Sequence, residues 1–280
     1  VHPDVRWRHE SRKGSMRESR DHDWRSLMEL YVLPLGDCCC NYEVIAPGVQ
    51  DGRRIHIPVP GYLVRLDDDR LVLVDTGMHR GHIQDPDLTW GGQPFADALT
   101  PVMRPEDSLL FRLAQLDIAP QDIDYVVNTH LHFDHAGNND LLTKATFFVQ
   151  REHYTAAQAN SGSFPHQYWN LPHLRYELLD GESTLFSGLE ILLTPGHAPA
   201  HQSVLLRLPE TGPVIICGDA VYCQENFDHD SWDGQADPET ARTSAFKLRE
   251  TAKREDAQLF YGHDRNQARE TRYAPHSSYR

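Results

Sequence analysis

Long apolar runs are missing from these 280 residues. None approaches the ~18–20 residues needed to cross a bilayer, which excludes a membrane-spanning helix. Basic charge is also short: 27 Lys and Arg stand against 41 Asp and Glu, a formal net charge of −14. A nucleic-acid partner needs a basic footprint, so that class is excluded as well. Cysteine is sparse and poorly spaced: Cys38, Cys39, Cys40, Cys217 and Cys223. The number is odd, three are consecutive and no C-x-x-C pair exists, so no disulfide framework is expected. A structural or incidental role for all five follows, as does a reducing, cytoplasmic compartment. Gly and Pro, 18 of each, are near ordinary usage, which argues against disorder of the whole chain.

Histidine is in excess. There are 17, and histidine is both the commonest metal ligand and the commonest acid–base group near neutral pH. The spacing of these residues decides what they do.

The first 25 or so residues are rich in Arg and lack both apolar periodicity and the apolar stretch of a secretory signal. Gly14-Ser15-Met16 reads as a cloning scar before a start methionine, so residues 1–15 are expected to be added sequence; a native arm is the alternative. The expected organisation is a disordered arm over residues 1–26 and a single domain over 27–280.

Ordered structure is expected from about residue 27. Residues 29–35 read as a strand, and 61–66 with 71–75 as a hairpin around three consecutive aspartates. The Gly- and Pro-containing stretch 76–105 reads as a long loop. Leu109, Leu113 and Leu116 mark a helix over 106–117. A buried strand over 124–128, a strand over 145–149 and a helix over 151–159 follow. Short apolar runs at 185–186, 189–193, 204–208 and 214–217 alternate with turns. A helix over 238–255 and a short strand over 258–261 close the pattern. Interleaved strands and helices predict a mixed α/β domain with helices covering sheets.

The segment Thr129-His130-Leu131-His132-Phe133-Asp134-His135-Ala136-Gly137 carries the chemistry. Its pattern is H-x-H-x-D-H. In extended backbone, His130 and His132 project to the same side and can grip one metal. After a turn, Asp134 and His135 can face a second. Imidazole and carboxylate together suit zinc, iron, cobalt or manganese. The motif follows a buried strand, so it lies at that strand's C-terminal end, a usual place for α/β sites. Three more candidate ligands follow apolar runs in the same way: His197 in T-P-G-H, Asp219 in G-D-A and His263 in G-H-D.

With these residues in hand, the sequence resembles the metallo-β-lactamase superfamily. The resemblance implies an αβ/βα four-layer sandwich with two divalent metals at one edge, zinc first among the candidates. It places His130, His132 and His197 on one metal and Asp134, His135 and His263 on the other, with Asp219 bridging both. Further segments are similar to the N-acyl-homoserine lactone lactonases, the quorum-quenching branch: HLHFDHAGNN at 130–139, TPGHAPAHQSV at 194–204 and GDAVYCQENF at 218–227. Shorter matches are LVDTGM at 73–78, VQREHY at 149–154 and YGHD at 261–264. The likeness is patchiest at 37–60 and 79–105. Asn138 stands where these lactonases often have Gly, and Cys38-Cys39-Cys40 has no counterpart.

The implied activity is hydrolysis of the lactone ring to an N-acyl-homoserine. Hydroxide drawn from water shared by the metals attacks the carbonyl. Tyr222, three residues after Asp219, would stabilise the oxyanion, and Asp134 would pass a proton to the leaving oxygen. Asp75 and His201 are candidates for orienting the ligands. Phe133, Phe95 and Met78 are candidate pocket walls. The expected partner is a small-molecule lactone, with no membrane or nucleic acid. A related lactonase, such as one opening 4-pyridoxolactone, is the nearest rival, because the pocket loops decide between them. A glyoxalase-type thioesterase is expected to append a basic helical region beyond the last histidine. β-Lactamases generally lack the bridging Asp, and flavin-linked di-iron proteins usually have a carboxylate at the place of His132. A non-enzymatic metal- or signal-binding module is disfavoured by the full ligand set and Tyr222.

Overall fold

The computed structural model describes residues 28–48, 52–93, 96 and 98–280. The expected arm over residues 1–26 lies outside the described residues. Among the described residues, twelve strands form two sheets. The first runs β4 (Leu99–Val102), β1 (Glu29–Asn41), β2 (Arg54–Arg65), β3 (Leu71–Val74), β5 (Tyr125–Val127), β6 (Thr146–Gln150), β7 (Arg175–Leu179). The second runs β12 (Gln258–Phe260), β11 (Gly212–Ile216), β10 (Gln202–Leu208), β9 (Leu189–Leu193), β8 (Ser183–Phe186).

Side-chain alternation builds the layers. Val72, Val74, Val127 and Phe148 point between the sheets, where they meet Ile191, Val204, Val214 and Ile216. Their neighbours Leu71, Leu73, Val126 and Phe147 point to the opposite face, under Leu109 and Leu113 of the helix Leu109–Ala114. On the second sheet, Leu205 and Ile215 point outward against Ala245 and Leu248 of the helix Pro238–Glu255. Both faces of each sheet are covered, which is why runs such as Leu71–Val74 are apolar at every position. The result is the αβ/βα four-layer sandwich.

The long helix matches its expected bounds because its ends are chemically marked. Asp237 caps the first turn by accepting the Thr240 N–H, Pro238 opens the helix, and Lys253 and Arg254 lie in the last turn. The helix expected over 106–117 is shorter. Ser108 accepts the Phe111 N–H and sets the start, after a 3₁₀ turn Pro105–Asp107, and Asp117 turns the chain away at φ 57°. The stretch 76–105, expected as a loop, contains β4. This short edge strand pairs antiparallel with β1, Cys38 opposite Pro101, and an edge strand tolerates a proline. β1 itself extends to Asn41, well past residue 35, with a register shift between Pro34 and Asp37. β7 is the other edge: Arg175 and Glu177 are exposed, and Tyr176, Leu178 and Leu179 are only half-buried.

β3, β5 and β6 are parallel, as are β11 and β12. The chain segments leaving β3, β5, β9, β11 and β12 converge at one edge of the sandwich.

Candidate metal centre

The loop leaving β5 brings His130 Nε2 and His132 Nδ1 to 2.9 Å. The loop leaving β9 adds His197, whose Nε2 lies 3.1 Å from His130 Nε2 and 3.0 Å from His132 Nδ1. Asp219 Oδ2, from the turn after β11, is 3.3 Å from His197 Nε2 and 3.7 Å from His130 Nε2. Four donors about 2.0–2.2 Å from a central ion stand roughly 3.3 Å apart along a tetrahedron's edges, and the separations above, 2.9–3.7 Å, bracket that value. Asp134, His135 and His263 form a second group. Asp219 Oδ1 is 3.1 Å from His135 Nε2 and 3.2 Å from His263 Nε2, while Asp134 Oδ2 is 3.7 and 3.8 Å from the same nitrogens. The two carboxylate oxygens of Asp219 therefore face different groups.

The donor chemistry fits cations. Four of the five histidines have an acceptor or hydroxyl at the ring nitrogen turned away from the centre. His130 Nδ1 meets Thr129 Oγ1 at 3.0 Å, His197 Nδ1 meets Gln235 Oε1 at 2.8 Å, His135 Nδ1 meets Asp75 Oδ2 at 2.7 Å, and His263 Nδ1 meets the Pro58 carbonyl at 2.8 Å. Each pairing puts the proton on the outer nitrogen and leaves a lone pair facing inward. His135 Nε2 and Asp219 Oδ1 face each other, buried and without a directed hydrogen bond. Such buried polar atoms are costly unless something binds them, and a divalent ion does so. Burial, reinforced by His135 and the other neighbouring imidazoles, holds His130 well below the ordinary histidine range. Burial pushes the Asp219 carboxyl up, but His135, His263 and His197 outweigh it and hold the group well below the carboxylate range.

Local backbone explains why these loops fold as they do. Asp75 sits at φ 57°, an uncommon conformation for a non-glycine residue. Its carboxylate accepts from Thr129 N (2.8 Å), Thr129 Oγ1 (2.7 Å) and His135 Nδ1, and these bonds hold it there. Gly196 in the T-P-G-H loop has φ 130°, and a Cβ on it would overlap the Ala241 backbone, so only glycine lets the long helix approach His197 this closely.

The sequence-predicted residues fall as follows. All seven candidate ligands converge. Asp75 backs His135. His201 Nε2 accepts the Asp219 N–H at 3.1 Å, and its Nδ1 meets Thr194 Oγ1 at 2.9 Å. Tyr222 Oη lies 3.0 Å from His197 Nδ1. Burial first, then Asp219 and Asp134, push its phenol well above the usual range, so it stays protonated. Tyr222, Asp134 and His263 border a cavity of about 720 Å³ whose walls include Ile57, Trp90, Leu99, Phe133 and Phe164. Met78 is fully buried behind that lining, its Sδ 3.5 Å from Cys38 Sγ, and does not border the cavity. Phe95 lies outside the described residues.

The metallo-beta-lactamase superfamily model matches residues 56–263, most of the chain. The chain belongs to the metallo-beta-lactamase superfamily.

Within the superfamily, it is similar to N-acyl homoserine lactonase AiiA of Bacillus thuringiensis subsp. kurstaki, 33% identical over 253 residues that cover 89% of this chain and 98% of the relative. N-acyl homoserine lactonase AttM of Azorhizobium caulinodans is 34% identical over 254 residues, covering 85% and 93%. Among solved structures, N-acyl homoserine lactone hydrolase with the product N-hexanoyl-L-homoserine bound at its catalytic metal center matches with a TM-score of 0.83 at 33% identity, covering 90% of this chain and 98% of that one.

Several residues of this superfamily member escaped sequence reasoning. Gln235 sits in an unmarked loop and carries no motif. Thr129 was readable only as a neighbour of His130. Trp90 and Phe164 lie in segments without a motif; Trp90 and His82 stand edge-on to Phe133 at 5.8 and 5.9 Å. Asn138 is buried and donates through Nδ2 to the Thr76 and Met78 carbonyls at 2.8 and 2.6 Å. It holds the loop that a glycine would leave to other groups. All five cysteines are free.

Proposed function

We propose that this chain hydrolyses the lactone ring of N-acyl-homoserine lactones to N-acyl-homoserines. One observation carries the reading: two ligand groups sharing Asp219 form the floor of a cavity with apolar walls. His130, His132, His197 and Asp219 would hold one divalent ion and Asp134, His135 and His263 a second, zinc first among the candidates and iron, cobalt or manganese behind it; such ions would supply hydroxide at neutral pH and polarise a carbonyl. The protonated phenol of Tyr222 donates to the carbonyl oxygen as negative charge develops on it. Asp134 would accept the proton of the attacking hydroxide and hand it to the ring oxygen as the acyl C–O bond breaks, leaving a carboxylate and a free hydroxyl. Ile57, Trp90, Leu99 and Phe133 provide apolar surface for the acyl chain.

The lining also bears on the nearest rival. A flat acidic lactone such as 4-pyridoxolactone calls for a fixed cation, and the described residues that border the cavity include no Lys or Arg. The described residues contain no helix long and apolar enough to cross a membrane. The free thiols agree with a cytoplasmic placement. The described residues of 27–280 are read as one folding unit, because the cluster between the sheets takes side chains from Met28 through to Tyr279.

The test is acid release from an N-acyl-homoserine lactone, with 4-pyridoxolactone and a thioester in parallel, using metal-loaded and chelator-stripped protein. Metal-dependent opening of the acyl lactone is expected. Turnover of 4-pyridoxolactone or the thioester alone would overturn the substrate assignment.

A further inference from the structure

The helix Arg151–Ala159 follows β6 and carries His153, a fully buried histidine in neither ligand group. Its two ring nitrogens bond to the backbones of two different loops. Nε2 accepts the Leu131 N–H at 2.9 Å, and Nδ1–H donates to the Pro199 carbonyl at 2.8 Å. Leu131 lies between His130 and His132. Pro199 lies two residues beyond His197. One imidazole thus ties together the loops that carry all three histidines of the first group. A donor on one side and an acceptor on the other require a neutral ring with its proton on Nδ1.

Packing adds to the tie. Phe164 stands edge-on to His153 at 5.1 Å and stacks on His132 at 4.8 Å and 13°. The second group is held by other means: His135 through the Asp75 carboxylate and His263 through the Pro58 carbonyl.

We propose that His153 is the positioning residue of the first metal group. It fixes the separation of the His130–His132 loop from the His197 loop, and so sets how tightly that group holds an ion relative to the second. Donor spacings near 3 Å close a tetrahedron only if neither loop slides, and metal sites depend strongly on the groups that orient their ligands. The inference rests on reading the two groups as metal sites.

The test compares the full chain with His153→Leu and His153→Gln. Zn²⁺ affinities come from chelator competition, the occupancy of each group from anomalous diffraction, and folding from thermal unfolding. Leu removes both bonds. Gln keeps an oxygen for the Leu131 N–H and an NH₂ for the Pro199 carbonyl. His153→Leu is expected to weaken Zn²⁺ at the first group by about tenfold or more and to leave the second unchanged. His153→Gln should restore most of the loss. If His153→Leu does not fold, His153→Asn, whose shorter amide cannot span both partners, replaces it. Equal weakening of both groups, unchanged affinity, or a Gln variant as weak as a folded Leu variant would overturn the proposal. A wild-type chain that binds no Zn²⁺ at either group would instead overturn the metal reading beneath it.

Discussion

The two ligand groups share Asp219 and one edge of the fold, yet the protein backs them with different chemistry. Behind the first group stand neutral partners: Thr129 for His130, Gln235 for His197, and His153 between the loops. Behind and within the second stand charges, Asp75 on His135 and Asp134 among the donors, beside one neutral partner, the Pro58 carbonyl on His263. A histidine bonded to a carboxylate is the more basic ligand. Beyond the shared Asp219, the first group therefore depends more on the placement of its three imidazoles, and the second more on negative charge behind and among its donors. Neighbouring ions can in this way be held differently by one scaffold.

The most severe way to break that difference is to remove what the groups share. Asp219→Ala should release both ions and lower turnover by more than about 10³-fold, read by metal content beside kinetics. A variant that kept one ion per chain would assign the carboxylate to a single group. Tyr222→Phe should keep both ions and lower kcat by about 10²- to 10³-fold with little change in KM; unchanged kinetics would remove the phenol from the mechanism.

A third prediction concerns the first group alone. Burial pushes His153 down from 6.5 to about 4. The unfolded chain takes up this proton below pH 6.5, whereas the folded chain resists it until about pH 4. The associated stability is full above pH 6.5 and is lost as pH falls toward 4, to a total of about 3 kcal/mol. Urea unfolding of the metal-free chain across that range should be steeper in wild type than in His153→Gln, and parallel curves would refute the assignment. The smallest effects should sharpen the contrast. Gln235→Leu should weaken metal at the first group by about 10–100-fold. Asp75→Asn should act mainly on the second, with a lesser effect on the first through Thr129, and occupancies measured group by group would separate the two.

Legibility followed the range of the signal. The helix Pro238–Glu255 was readable to its bounds because Asp237, Pro238 and a basic last turn mark it locally. β4 was not, since an edge strand containing Pro101 looks like loop until β1 is laid beside it. In the centre, the H-x-H-x-D-H run and three strand-end residues stood out by spacing, but Gln235 did not. It reaches His197 from 38 residues away, and nothing in its own neighbourhood distinguishes it. Met78, a candidate pocket wall by sequence, turns into the core against Cys38, a direction its own neighbourhood does not mark.

The sequence by itself determined the donor set, its chemistry and the alternation that stacks two covered sheets, because residue type and periodicity are local properties. Tertiary structure alone decided which oxygen of Asp219 faces which group, which residues fix each histidine's proton, and which side chains border the cavity. Those depend on how five separate strand ends converge, and convergence is set by packing between the sheets rather than by any one segment.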